Sequence, residues 1–164
     1  MFDREKFKKA ILYLISKYPD KKLKGKKKLA KLLYFADFDF FELYEKPLTG
    51  ATYRVMSMGP LPDELDQSLK EIENKQLRVE KKTIGYENDL NIYSLKKEKI
   101  DFGLFSEKEK EILDSVFKRY GSLSGGELEK ISHSEASFNA VDFGERIPYE
   151  LAFYRGKEEK EIKI

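Results

Sequence analysis

The stretch Gly25-Lys26-Lys27-Lys28-Leu29-Ala30-Lys31-Leu32-Leu33-Tyr34-Phe35-Ala36-Asp37-Phe38-Asp39-Phe40-Phe41-Glu42-Leu43 decides the fold. Leu29, Leu32, Leu33, Ala36, Phe40 and Leu43 recur at helical spacing, and Tyr34, Phe35, Phe38 and Phe41 widen the apolar face. A helix apolar over so much of its circumference is expected at the centre of a fold, packed on several sides. Upstream, Asp3 suits an N-cap, and Phe7, Ala10, Ile11, Leu14, Ile15 and Tyr18 mark a second amphipathic helix that Pro19-Asp20 ends.

Downstream, Lys46-Pro47-Leu48-Thr49-Gly50 reads as a loop. Thr52 to Met58 reads as a strand, with Tyr53, Val55 and Ser57 on one face and Arg54, Met56 and Met58 on the other. Gly59-Pro60-Leu61-Pro62 is expected to break that strand and lead into a helix from Asp63 to about Lys75, burying Leu65, Leu69 and Ile72. Leu77–Lys82 and Leu90–Leu95 predict a hairpin turned at residues 85–89. Ser106 and Glu109 have capping-box spacing ahead of Ile112, Leu113, Val116, Phe117 and Tyr120. Short helical segments follow from Ser124 and over Glu135–Val141, then a last turn at Ile147–Leu151. The prediction is α+β: a mostly helical single domain over residues 1–155 with a small antiparallel sheet or hairpin, then a charged tail at 156–164.

With 40% hydrophobic residues, 12 Phe and 10 Tyr, the chain is not a disordered one despite 38% charge. It has no cysteine, which removes disulfides and thiolate metal sites and suits a reducing cytoplasm. No signal-peptide pattern and no membrane-length apolar run is seen, so a cytoplasmic protein with no membrane partner is expected. The net charge of +2 hides an asymmetry, because residues 1–40 hold 12 basic against 5 acidic side chains, a net of +7. Seven lysines lie between Lys21 and Lys31. Such a run can face nucleic acid or an acidic protein, or simply be a solvated loop and helix start.

Little points to catalysis. His133 is the one histidine, flanked by Ser132 and Ser134, whereas a nucleophile and its base normally come from separate elements. We therefore read it as a structural marker that hydrogen-bonds backbone, and a hydrolase stands as a remote alternative. A structural zinc site is not available, and Asp37 and Asp39 are spaced to point to different faces of their helix. An oxygen-only magnesium or calcium site stays open, since carboxylates abound. No cofactor motif is present. Ser124-Gly125-Gly126-Glu127 at a helix start suits a turn better than an anion, because Glu127 opposes one. A DNA-binding regulator is the alternative with most substance, but the helix before the hairpin carries Asp63, Glu64, Asp66, Glu71 and Glu73, which phosphates would repel.

The order of motifs then becomes informative. Lys31-Leu32-Leu33-Tyr34-Phe35-Ala36-Asp37, then Leu48-Thr49-Gly50, Tyr53, and Met58-Gly59-Pro60-Leu61-Pro62 before a helix closely resemble the SocA-like antitoxin, or Panacea, domain family, also described as phage-associated. Leu123, Leu128 and Ile131-Ser132-His133 resemble that family's later Leu-Ser-His segment. The chain departs from the family at Met56 and Met58, where many members have aromatic residues, and at Phe138, near a frequent Trp. The resemblance implies a toxin-neutralising protein without chemistry of its own, binding its toxin directly or delivering it to a ClpXP-type protease.

For the binding surface, the corner at Gly59-Pro60 could present Tyr53, Arg54 and Met56, since Tyr and Arg are over-represented in interface hot spots. The alternative is that Gly59 and Pro60 merely make a tight corner and the methionines fill the core. Lys26, Lys27 and Lys28 are candidates for steering an acidic toxin.

Overall fold

Asp3 accepts the Lys6 amide at 3.0 Å and so opens α1 (Arg4–Ser16), as its position in the sequence suggests. The computed structural model describes residues 1–85, 88–96 and 99–155. After α1 come a three-residue strand β1 (Lys22–Lys24) and the long helix α2 (Lys26–Tyr44). Every residue of α2 from Leu29 to Phe40 is buried, including Lys31, Asp37 and Asp39. Such a helix has no solvent face over three turns. α1, two later helices and the C-terminal segment all pack around it.

The strand expected over Thr52–Met58 is shorter, β2 (Tyr53–Met56), and Gly59-Pro60-Leu61-Pro62 does more than break it. These four residues turn back at Ser57-Met58 and pair antiparallel as β3 (Gly59–Pro62), with Tyr53 opposite Pro62 and Met56 opposite Gly59. Two prolines are tolerated because β3 pairs through one edge only. The other edge of β2 receives the loop at 144–147, through bonds from the Gly144 and Ile147 amides to the Val55 and Tyr53 carbonyls.

The helix expected over Asp63 to Lys75 is α3 (Leu65–Ile72), and it buries Leu65, Leu69 and Ile72. It starts late because Asp63 and Glu64 hold Arg54 and the Thr52 amide instead, and it stops before Asn74, whose φ is +66°. β4 (Leu77–Ile84) and β5 (Asn88–Leu95) form the expected hairpin, whose turn lies partly outside the described residues. β1 adds to the far side of β5, giving an antiparallel sheet ordered β1-β5-β4. This strand occupies part of the Lys21–Lys31 run, of which one reading is a solvated loop and helix start.

α4 (Glu107–Tyr120) and α5 (Gly125–Ser134) each begin with a complete capping box, Ser106 with Glu109 and Ser124 with Glu127. Glu127 thus closes the Ser124-Gly125-Gly126 turn. α6 (Ala136–Asn139) and a 3-10 helix at Tyr149–Tyr154 complete an α+β fold of mainly helical content. The expected tail at 156–164 lies outside the described residues. No helix among the described residues is long and apolar enough to cross a membrane.

Candidate functional site

α2 begins at Gly25, whose φ of +103° admits the tight entry from β1 and which supplies no capping side chain. Its first turn therefore directs Lys26 and Lys27 toward the β2–β3 hairpin. One turn later, Lys31 lies beneath that hairpin, 1% exposed, and its ammonium donates to the Pro60 carbonyl at 3.2 Å. Gly59 must be glycine here, because a β-carbon would stand 2.4 Å from Lys31 Cε and 2.9 Å from Ser132 Oγ. Between helix and hairpin opens a cleft of about 300 Å³, lined by Lys26, Lys27, Lys31, Met56, Met58 and Leu61 among others.

Candidates from separate parts of the sequence, Lys26 and Lys27 on one side and Met56 and Gly59 on the other, thus share one cleft. The remaining candidates lie elsewhere. Tyr53 is in the core, 1% exposed, with its hydroxyl donating to Asp37 at 2.7 Å, so its side chain is not offered to a partner. Arg54 faces outward but is paired with Asp63 at 2.9 Å and reaches the Gly144 carbonyl. Pro60 is buried beside Lys31. Lys28 leaves the cleft and lies over the Tyr18 ring, 5.1 Å from its centroid, where burial lowers its pKa.

The lysine run is largely consumed within the fold. Lys21 donates to the Ser16 carbonyl, Lys26 pairs with Asp66 at 2.5 Å, Lys27 pairs with Glu129, Lys28 covers Tyr18 and Lys31 is buried. Lys22 and Lys24 stay exposed on β1. Two exposed lysines on a short edge strand, with Asp20 beside them, make a small phosphate footprint.

Two further polar networks are buried around Asp37 and Asp39, which their spacing places on different faces of α2. Asp37 accepts from the Thr49 amide at 2.5 Å, the Thr49 hydroxyl at 2.6 Å, the Gly50 amide at 3.3 Å and Tyr53. Burial still pushes its pKa upward, against those four donors. Asp39 instead takes Arg119 and Arg155, so the two aspartates serve separate networks. Arg155 also lies 3.6 Å from Glu135, which accepts from Tyr34 at 2.6 Å. Burial works against the Arg155 charge, yet Glu135 and Asp39 outweigh it and hold the guanidinium protonated.

Lys31 is the opposite case. Burial pushes its pKa down from 10.5 to about 8, with Glu129 opposing the drop and Lys27 adding to it. The signal was in the sequence: a single lysine inside a helical window that is otherwise apolar from Leu29 to Ala36.

His133 ends α5 with its ring stacked on Phe138 at 4.6 Å. Its Nε2 is buried without a hydrogen-bond partner among the described residues, while its carbonyl accepts from Asn139. The flanking hydroxyls donate to backbone, Ser132 to Glu129 and Ser134 to Ile131. Among the described residues no group of three or more His, Asp or Glu side chains is placed to hold a metal ion.

The profile of the antitoxin SocA-like, Panacea domain family matches residues 29–137. That interval contains Lys31, both strands of the hairpin and His133; it begins after Lys26–Lys28 and ends before Arg155. No curated protein and no solved structure matches the chain.

Proposed function

Because the chain belongs to the antitoxin SocA-like, Panacea domain family, we propose that it neutralises a toxin protein by binding it directly. The observation that carries this reading is the family match over residues 29–137, which spans the central helix and the hairpin packed on it. The side-chain chemistry is in keeping with it. Asp37, Asp39 and Arg155 are engaged in holding α2, the hairpin and the C-terminal segment together, while the hairpin leaves an accessible cleft with apolar walls and a cationic floor. That is the make-up of a surface that binds.

The test is co-expression with the product of the adjacent open reading frame. Direct neutralisation predicts restored growth and a stable complex on co-purification. Growth arrest that this chain leaves unrelieved, with no complex formed, overturns the proposal. Delivery to a ClpXP-type protease is the finer variant, and rescue in a host lacking that protease separates the two. A gel-shift series with the protein's own upstream DNA addresses the regulator reading.

A further inference from the structure

We propose that the cleft between the start of α2 and the β2–β3 hairpin receives an acidic side chain of the toxin, flanked by apolar residues, with Lys31 as the group that takes its carboxylate. The identity of the partner rests on the antitoxin reading; the chemistry of the cleft does not.

The argument begins with what Lys31 lacks. An ammonium has three donors, and the structure gives this one a single acceptor, the Pro60 carbonyl. No carboxylate among the described residues lies within ion-pair distance of it, whereas Lys26 and Lys27 on the rim are held by Asp66 and Glu129. An unpaired buried charge is costly, and a carboxylate entering the cleft would supply the missing acceptor and counter-charge. The first-turn amides of α2 carry no capping side chain at Gly25 and add positive potential from the same side.

The walls narrow the choice of occupant. Met56, Met58 and Leu61 are apolar, and Met58 is 56% exposed at the mouth, free to reshape around a guest. A nucleic-acid strand fits poorly, because its successive phosphates would meet the Asp66 and Glu129 carboxylates that flank the lysines. A single carboxylate between apolar side chains meets the lysine floor and the methionine walls together. A depressed lysine pKa in a cleft is a mark of such functional placement.

Two measurements test this. In the first, the toxin identified by rescue is titrated against wild-type protein, Lys31→Met, Met58→Glu and the remote control Arg78→Glu on the exposed face of β4. Lys31→Met and Met58→Glu are expected to weaken binding by at least about tenfold, with Arg78→Glu unchanged. Thermal melts confirm that each variant is folded. Wild-type affinity in both cleft variants overturns the cleft and leaves the antitoxin reading intact. In the second, a blocked five-residue peptide alternating leucine and glutamate is titrated by NMR, with the leucine–glutamine peptide as control. Saturable shifts at Gly59 and Lys31 from the glutamate peptide alone, lost in Lys31→Met, support the proposal even where no toxin binds and the antitoxin reading has failed. Absent shifts, equal shifts from both peptides, or tighter binding of a short DNA duplex at the same resonances overturn it.

Discussion

Lys31 reaches the Pro60 carbonyl by passing directly over the α-carbon of Gly59, so a buried lysine and a left-handed glycine fit only together. Gly59 has φ +99°, which any L side chain would strain, and its missing β-carbon is the space that the lysine stem occupies. Gly59→Ala is expected to destabilise the protein by about 1–3 kcal/mol in urea melts. Adding Lys31→Ala removes the overlapping atoms but leaves the backbone strain. The double variant should therefore be about 1 kcal/mol more stable than the two single losses sum to. Strict additivity would show that the overlap is relieved some other way.

The same lysine makes stability depend on pH. In the folded chain its pKa is near 8, against 10.5 when free in water. Its stability contribution is therefore present above 10.5 and is lost as the pH falls through 8, where the buried amine must carry a charge. Lys31→Met keeps the volume and removes the charge. At pH 7 it is expected to exceed the wild type by up to about 3 kcal/mol, less what the Pro60 bond contributes. That advantage should shrink between pH 8 and 10.5. Paired urea titrations across this range check it, and a difference independent of pH would refute the charge argument.

Asp37 ties α2 to the loop before the hairpin through four donors, and the donors outnumber what any neutral replacement can accept. Asp37→Ala strands two backbone amides and two hydroxyls in the core and should cost about 3–5 kcal/mol. Tyr53→Phe removes one donor and leaves the carboxylate three others, so about 1–2 kcal/mol is expected. Because burial raises the Asp37 pKa above 3.8, its contribution is full below that value and declines as pH rises through the folded pKa. Asp37→Asn should remove that slope, which acid-side denaturation curves read directly.

What the sequence revealed of this fold followed the range of the interactions involved. α2 was legible because its apolar pattern wraps the whole helix, and the capping box at Ser106 because both partners lie three residues apart. β1 was not, since three residues of Lys-Leu-Lys carry too little alternation and their partner β5 lies some 70 residues further on. Gly59-Pro60-Leu61-Pro62 reads only as a breaker, and its pairing as β3 is hidden because proline forbids a central strand but not an edge. At the cleft, the lysines and methionines could be named separately, but their meeting depends on how the hairpin folds back over α2. Tyr53 looked like a surface contact until the position of Asp37 claimed its hydroxyl. Arg155 gave no local sign at all, as its partner Asp39 is 116 residues away.

That distant pair offers the sharpest test of how the C-terminal segment is held. Asp39 and Glu135 bring carboxylates into the core and Glu42 adds a third at 3.8 Å, and all three converge on Arg155, with Arg119 sharing Asp39. Arg155 also covers the rings of Tyr34 and Phe38, at 5.8 and 5.7 Å, which fixes the 3-10 helix against α2. Arg155→Met keeps much of that packing and removes the buried cation that these carboxylates share, at an expected loss of about 3–5 kcal/mol. Adding Glu135→Gln removes one of the charges that Arg155 offset and should recover about 1–3 kcal/mol of it. Native-state hydrogen exchange provides the local readout. In Arg155→Met the amides of Leu151 to Tyr154 should exchange faster than those of α4, and the double variant should restore part of their protection. Equal loosening of the whole molecule would mean that Arg155 supports the core in general and does not clamp this segment.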